Sequence, residues 1–168
     1  IAVFADSTWH AIKGLEALKV SFEGGMTKGI SSKKINEKFD KYLDSMKTSI
    51  NNKDLFEVEY SMPFLSHAGI ESTNCTANVT SSKCEIWVPT QTQTFCIDVI
   101  KEITGFDDEQ IFINTPYVGG GFGRRINVDE VKQAVIISKK IKKPVQVLWS
   151  REEDIQHDYF HSGSKARY

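Results

Sequence analysis

The chain has 168 residues, of which 40% are hydrophobic, 26% charged and 11% aromatic, a composition typical of a globular domain with its own core. Its formal net charge is −1, which excludes a global field that would recruit nucleic acid or a membrane surface, so any basic site must be local. No apolar run approaches the length of a membrane-spanning segment. We therefore expect no nucleic-acid partner and no direct membrane contact from this segment.

The three cysteines are Cys75, Cys84 and Cys96, and an odd number cannot pair completely within one chain. No two of them form a CxxC pattern, which argues against zinc and iron–sulfur ligation. We interpret them as buried or incidental thiols, and no metal-ligand set is assigned to this chain.

The first 25 residues predict the end of a preceding unit of helix and strand. Ile1–Phe4 has the character of a buried strand that leads into a helix, with Asp6 as the N-cap. Apolar residues recur at helical spacing from there to Leu18, and Val20–Phe22 predicts a short strand. A chain that starts in this way is expected to be an internal segment of a longer protein.

Residues 26–54 differ in composition from the rest of the chain. The stretch Thr27–Lys53 is rich in Lys, Ser and Asn and contains one amphipathic helical pattern between Ile35 and Met46. This predicts a polar insertion or a linker that carries a surface helix, to which we assign no chemistry.

Residues 55–168 begin with three predicted strands. Polar and apolar residues alternate over Phe56–Met62, which indicates a half-buried strand that stops at Pro63. Two further strands are predicted at Asn74–Val79 and Cys84–Val88, with the turn Ser81–Lys83 between them.

Two helices and two strands follow in alternation. Thr94–Ile103 has one apolar helical face, and Ile111–Ile113 predicts a short strand. Asn127 and Glu130 have the spacing of a capping box that opens a second helix, and Val145–Trp149 predicts a buried strand. The order predicts an α+β fold class, a mixed sheet with strand–helix–strand crossovers and helices packed on one face.

The most distinctive local pattern is the glycine-rich stretch Gly119–Arg125, which follows a predicted strand and precedes a helix. Glycines remove the Cβ atoms that would keep a ligand away from the backbone and allow positive φ, so successive N–H groups can face one anionic group. Arg124 and Arg125 add donors suited to phosphate. The alternative is a structural turn that lets a strand pack close to a helix. The pattern is neither a P-loop nor a dinucleotide fingerprint.

The chain resembles the molybdopterin-binding large subunit of the xanthine dehydrogenase/aldehyde oxidase family, in particular its isoquinoline 1-oxidoreductase beta-subunit branch. The resemblance runs in family order along nearly the whole chain. Its matching stretches are Ala5–Trp9, Ala17–Val20, Val58–Ala68, Glu71, Asn74–Ala77, Glu85–Gln91, Gly119–Arg125, Pro144–Asp154 and His157–Asp158.

The resemblance implies that the glycine loop contacts a molybdenum cofactor. Carried over residue by residue, it puts Gly121, Phe122 and Gly123 against the cofactor, with Gly120 and Arg124 near it. Backbone N–H groups can bond oxygen atoms of such a group, and Phe122 can shield the site from water. The implied cofactor is molybdopterin, with the cytosine dinucleotide form left open.

Other site positions are less specific. Xanthine dehydrogenases carry a glutamine in the region that here reads Phe64–His67, and its absence favours the isoquinoline or aldehyde branch over purine substrates. His67 has a structural hydrogen-bonding and a catalytic interpretation, of which the structural has at least equal weight. Gln91 and Gln93 are site-facing amides or, with more weight, capping and loop residues. Arg151–Asp154 is interpreted as a solvated face or an inter-domain salt bridge.

The resemblance implies oxidative hydroxylation of N-heteroaromatics or aldehydes with water as the oxygen source. It also implies an iron–sulfur small subunit with two 2Fe–2S clusters as partner. The family's catalytic glutamate matches no residue here, so no catalytic residue is assigned and the isolated chain is expected to be inactive. Export to the periplasm is an expectation from the resemblance alone. The alternative function is a scaffold or interaction module with a structural glycine turn.

Overall fold

The computed structural model describes residues 1–46 and 56–168. The chain divides into two compact units, Ile1–Lys53 and Asp54–Tyr168. The first unit contains two helices and the second contains the sheets. Each is described by itself below.

The first helix of the first unit, α1, is Thr8–Glu16. Its N-cap is Ser7, whose hydroxyl accepts a hydrogen bond from the backbone N–H of His10, so the prediction of Asp6 as N-cap is wrong by one residue. Asp6 instead bonds the ring of His10. The predicted strands at Ile1–Phe4 and Val20–Phe22 are also wrong, because neither segment pairs with another strand in the described part of the chain.

The second helix of this unit, α2, is Ser32–Ser45, and it confirms the surface helix predicted within the polar insertion. Ser31 caps it by accepting from the backbone N–H of Lys34. Neither α1 nor α2 contains a buried residue. The remainder of the predicted insertion, residues 47–53, lies outside the described residues.

The second unit contains a four-stranded sheet in the order β4-β3-β2-β5. Its strands are β2 Asn74–Val79, β3 Cys84–Trp87, β4 Ile111–Asn114 and β5 Val145–Leu148. β2 runs antiparallel to both β3 and β5, whereas β3 and β4 are parallel. All four strands were predicted, and the parallel pair confirms the strand–helix–strand crossover.

Two helices cover one face of this sheet. They are α3 Gln93–Thr104 and α4 Asp129–Ile141, and α4 packs mainly on β2. Alternate residues of β2 are buried, so Cys75 and Ala77 face the helices and meet Ile100 and Val135 in the core. Because side chains alternate between sheet faces, this period-two pattern is what gave β2 a clear signal in the sequence. The predicted α+β fold is confirmed.

The first strand of the unit differs from its prediction. β1 is Glu59–Met62, and among the described strands it pairs only with β6 Ser164–Arg167, in a separate two-stranded sheet. All four of its residues are exposed, so the predicted half-buried core strand at Phe56–Met62 is wrong in both its length and its burial. Alternation is compatible with any strand that has one apolar face, and it carries no information on which strand becomes the partner.

The start of α4 also differs from its prediction. Its N-cap is Val128, without a side-chain hydrogen bond, so the Asn127–Glu130 capping box does not form. Asn127 ends the preceding 3-10 helix, where its N–H donates to the carbonyl of Arg124. Glu130 is completely buried instead of reaching back to the cap. The last helix, α5 Arg151–Gln156, was not predicted.

Two isoleucines test this core, one buried on α3 and one half-exposed on α4. Ile100 is fully buried, whereas Ile136 is 43% exposed. We expect Ile100→Ala to lower the free energy of unfolding by about 2–5 kcal/mol, because it removes packed methylene groups and leaves a cavity. The matched control Ile136→Ala should cost about 1 kcal/mol or less. Chemical denaturation of both variants measures the difference, and equal losses would contradict the proposed layering.

Candidate functional site

The glycine loop joins β4 to the 3-10 helix Arg124–Ile126. Its backbone has positive φ at Gly120 (108°), Phe122 (52°) and Gly123 (100°). Side chains rarely adopt this region, and Phe122 is a non-glycine residue held there. The loop therefore stores backbone strain at its centre, which is common at ligand-binding sites.

The loop lies backbone to backbone against the segment around Gly69. A Cβ atom on the buried Gly69 would lie 2.7 Å from the carbonyl oxygen of Gly120, so no other residue fits without displacing the main chain. A Cβ on Gly123 would meet only the His67 ring, at 3.6 Å, which is an ordinary contact. Glycine at position 123 is therefore favoured by its φ and not by crowding inside the chain.

Two side chains hold the ends of the loop. The Glu71 carboxylate accepts from the N–H of Gly119 at 2.8 Å, and the Gln91 amide oxygen accepts from the N–H of Gly123 at 3.1 Å. Gln91 does not cap α3, whose N-cap is Thr92, and its amide oxygen instead holds the glycine loop. The loop is thus fixed at both ends by protein acceptors.

Gln93 does not reach the loop. It is the first residue of α3, and its amide nitrogen lies 3.4 Å from the hydroxyl of Thr115. Of the two glutamines considered from the sequence, only Gln91 contacts the glycine loop.

Between the two fixed ends, three successive backbone N–H groups have no acceptor in the described part of the chain. They belong to Gly120, Gly121 and Phe122. The cavity behind the loop has a volume of only about 10 Å³, roughly that of one water molecule. This cavity is therefore too small to hold a ligand as large as a pterin. The Phe122 ring, by contrast, is 68% exposed.

The Arg124 side chain points into the protein. It is 5% exposed, and its guanidinium lies 5.4 Å from the ring of Trp149 and 5.2 Å from the ring of Tyr159. Its Nη2 is 3.4 Å from a carboxylate oxygen of Asp129, and its Nε is 3.3 Å from Asp158, poorly aligned for a hydrogen bond. The Arg124 side chain therefore packs inside the protein. The proximity of Arg124 to the cofactor stays a prediction.

Arg125 is also directed inward. It is 2% exposed, and its Nη2 donates to the carbonyl oxygen of Glu71 at 2.7 Å. The expectation that the two arginines offer their guanidinium groups to a phosphate is therefore wrong. Both guanidinium groups are enclosed by protein, and the donors available to a ligand are those of the main chain.

Glu130 is the most unusual ionisable group near these arginines. It is fully buried, and neither carboxylate oxygen has a hydrogen-bond partner in the described structure. Burial raises its pKa from 4.5 to about 7, although the positive charges of Arg124 and Arg125 oppose the rise. A carboxyl in this environment changes its charge near neutral pH.

His67 is fixed by a buried carboxylate. Its Nδ1 lies 2.9 and 3.0 Å from the two oxygens of Asp158, and its backbone N–H also donates to Asp158. The ring lies against that of His161, with 4.2 Å between centroids. The structural hydrogen-bonding interpretation of His67 is therefore correct for one ring nitrogen, while the other faces Gly123.

The charged stretch Arg151–Asp154 is not simply a solvated face. Arg151 donates to the carbonyl oxygens of Gly69 at 2.7 Å and Ile70 at 2.6 Å, and Asp154 is buried and accepts from the hydroxyl of Thr73. This half of the earlier interpretation is wrong, because the pair secures the segment on which the glycine loop rests. Glu152 and Glu153, between them, are exposed as expected.

The three cysteines are buried and unpaired, as interpreted from the sequence. Burial raises the pKa of all three thiols, to about 11 for Cys84 and Cys96. They therefore remain protonated thiols at neutral pH and serve as small core residues on β2, β3 and α3.

Sequence reasoning assigned no role to Glu71 or Asp158. Asp158 lies 91 positions from His67, and Glu71 lies 48 positions from Gly119. Patterns of neighbouring residues therefore could not predict either contact. Both fall within the stretches that carry the resemblance, and that was the only signal that could have drawn attention to them.

The model of one protein family, described as the molybdopterin cofactor-binding domain, matches residues 30–168. This range covers most of the chain and includes the sheet, the glycine loop and the His67–Asp158 pair. The chain belongs to this family. The predicted resemblance is confirmed, and so is molybdopterin as the cofactor of the domain.

Two curated relatives illustrate the family. A membrane-bound aldehyde dehydrogenase of Gluconacetobacter polyoxogenes, whose name specifies pyrroloquinoline quinone, is 27% identical over 99% of this chain and 23% of its own length. The isoquinoline 1-oxidoreductase subunit beta of Brevundimonas diminuta is 36% identical over 49% of this chain and 11% of its own length. The chain therefore spans less than a quarter of the relatives it matches.

A solved structure shows the same fold. Reconstituted carbon monoxide dehydrogenase from Oligotropha carboxidovorans superposes with a TM-score of 0.56 and 20% identity, over 74% of this chain and 15% of that one. Among the described residues, no helix of the molybdopterin cofactor-binding domain is both long and apolar enough to cross a membrane.

Replacing Glu130 by glutamine tests its burial. Because the pKa of Glu130 is higher in the folded than in the unfolded state, protonation of this carboxyl stabilises the fold. This contribution to the free energy of unfolding is fully present below pH 4.5 and is lost as the pH rises through about 7. Glu130→Gln should remove this loss, so the stability of the variant relative to the native protein should increase between these pH values by about 3 kcal/mol.

Chemical denaturation across pH 4–8 measures this difference. The exposed Glu102→Gln on α3 is the control for removing a carboxylate from a helix surface. A stability difference for Glu130→Gln that does not vary with pH would contradict the shifted pKa.

Proposed function

We propose that this chain forms one wall of the molybdenum cofactor site in the large subunit of a molybdenum hydroxylase. The observation that carries the proposal is the row of three N–H groups at Gly120, Gly121 and Phe122 that have no acceptor among the described residues, in a loop anchored at both ends. These donors fit oxygen atoms of an anionic cofactor without acting as metal ligands. Gly123 and Arg124 complete the proposed contact region.

Phe122 has a separate role in this proposal. Its ring projects from the loop and is largely exposed in the chain by itself. We expect it to lie beside the bound cofactor and exclude water from it, which strengthens the hydrogen bonds made by the neighbouring N–H groups.

The cofactor would supply the redox chemistry, taking up two electrons as a carbon atom of the substrate gains an oxygen from water. For an aldehyde, aldehyde plus water gives carboxylic acid, two protons and two electrons. The electrons would leave through an iron–sulfur small subunit with two 2Fe–2S clusters. The designation of the isoquinoline 1-oxidoreductase relative as subunit beta supports such a multi-subunit assembly.

The substrate class is an aldehyde or an N-heteroaromatic compound. The names of the two relatives support these two classes. The absence of a glutamine from Phe64–His67, the region where xanthine dehydrogenases carry one, supports their choice over purines. Within the described residues no side chain is placed as the catalytic base, so we expect the isolated chain to show no turnover.

The second candidate function is a scaffold module in which the loop is only a tight turn. The hydrogen bonds from the loop to Glu71 and Gln91 favour this function, because they would hold such a turn in place without any ligand. The three N–H groups without a protein acceptor favour cofactor binding, because they are successive donors that an anionic group can accept from together.

Metal analysis of the matured holoenzyme tests the proposed function. We expect about one molybdenum per polypeptide and a pterin released on denaturation. Extraction of pyrroloquinoline quinone without molybdenum would contradict the proposal, and so would the absence of both cofactors. The chain purified by itself should hydroxylate neither aldehydes nor heteroaromatics, and turnover by it would contradict the shared site.

Replacing Gly123 by valine tests the loop. Gly105, at the end of α3, is a matched control, since it also has positive φ (75°) and its Cβ would meet nothing within 4 Å. Both substitutions should destabilise the protein by about 1–3 kcal/mol through backbone strain. Only Gly123→Val should abolish molybdenum content, because its side chain would intrude on the cofactor. Equal molybdenum in both variants would show that the loop does not touch the cofactor.

A further inference from the structure

His67 has one ring nitrogen that the protein holds and one that it leaves available. The Asp158 carboxylate can only accept hydrogen bonds when ionised, so the ring nitrogen beside it, Nδ1, carries the hydrogen. In the neutral ring the other nitrogen, Nε2, is then an acceptor. No donor for it exists among the described residues, although the His67 side chain is only 9% exposed.

The Nε2 atom is directed at the glycine loop. It lies 3.6 Å from the position that a Cβ atom on Gly123 would occupy. The N–H of Gly123 is already taken by Gln91, so the loop does not satisfy Nε2. A nearly buried acceptor thus lies beside the loop in which Gly120, Gly121 and Phe122 have N–H groups without an acceptor among the described residues.

The orientation of this ring is strongly constrained. The side chain of Asp158 is 1% exposed, accepts from the N–H of Tyr159 at 2.7 Å, and lies beside the Arg124 guanidinium. A flip of the His67 ring would deprive this buried carboxylate of a donor, which is costly. His161 packs against the ring, and its backbone exchanges hydrogen bonds with Leu65.

Packing and the contact with Asp158 do not require a second ring nitrogen at the position of His67 Nε2. An asparagine at position 67 could satisfy Asp158 through a hydrogen at nearly the same place as Nδ1–H. Only the imidazole also presents an acceptor at the far side of the ring. A polar atom that is held in place beside a ligand site and has no protein partner is a candidate for a contact with the ligand.

We propose that His67 is a cofactor-contacting residue, whose Nε2 accepts a hydrogen bond from an N–H or O–H group of the bound cofactor at the Gly123 end of the loop. Asp158 is its positioning residue. This inference rests on the proposed function and adds a recognition rule to it. The ligand must present acceptors to the N–H groups of residues 120–122 and a donor to His67.

Two substitutions separate the contact with the cofactor from the contact with Asp158. His67→Asn keeps a donor for Asp158 but removes the distant nitrogen, whereas His67→Gln reaches toward the position of Nε2 but moves its polar group away from Asp158. Both variants keep the backbone N–H that donates to Asp158. The two halves of the imidazole are thus removed one at a time.

The measurements are made on the matured holoenzyme. They are the thermal midpoint, the half-time of molybdenum loss on incubation with a chelator, and the Mo(V) electron paramagnetic resonance spectrum of the loaded fraction. We expect His67→Asn to keep a near-native thermal midpoint, to lose molybdenum about tenfold faster, and to show an altered spectrum. His67→Gln should have the lower midpoint and the smaller effect on molybdenum retention.

The opposite outcomes overturn the inference. A His67→Asn holoenzyme with native retention and a native spectrum would show that Nε2 does not contact the cofactor. Molybdenum loss that follows the thermal midpoint, with His67→Gln worse than His67→Asn, would assign His67 a purely structural role. In either case the native holoenzyme would still contain molybdenum, so the proposed function would stand. A native holoenzyme without molybdenum would overturn both.

Discussion

The close approach of Gly69 to the carbonyl oxygen of Gly120 is the constraint on which the site depends. Two irregular backbone segments far apart in sequence meet there without any side chain between them. Such contacts have little apolar area to stabilise them, so their position must be held by polar groups. The charged residues around the loop supply this stabilisation, and their inward direction follows from it.

Two arginines and two anchoring side chains hold the segments together. Arg151 donates to the carbonyl oxygens of Gly69 and Ile70, and Arg125 donates to that of Glu71. Glu71 in turn accepts from Gly119, and Gln91 accepts from Gly123. Hydrogen bonds from charged donors contribute more than neutral ones, typically about 1.5–3 kcal/mol each. The arginines are therefore structural, and the loop is left with main-chain donors for its ligand.

This arrangement also explains why the four-stranded sheet matters to the site. β2 follows directly from the Gly69 segment, β3 leads to Gln91, and β4 leads to the glycine loop. The hydrophobic core under α3 and α4 thus sets the distance between the two segments to be joined. The buried Glu130, with its raised pKa, makes the stability of this support depend on pH near neutrality.

By itself the sequence determined the elements of this core and the glycine loop. Asn74–Val79 and Ile111–Ile113 were predictable because periodicity and β-branched residues report local burial, and glycine reports unusual backbone angles. The family resemblance predicted that the loop contacts the cofactor. Only the tertiary structure decided that β1 pairs with β6, that Arg124 points inward, and that His67 meets Asp158. These outcomes depend on partners about 30 to 100 residues away, and local spacing carries no information on the direction in which a side chain will find its partner.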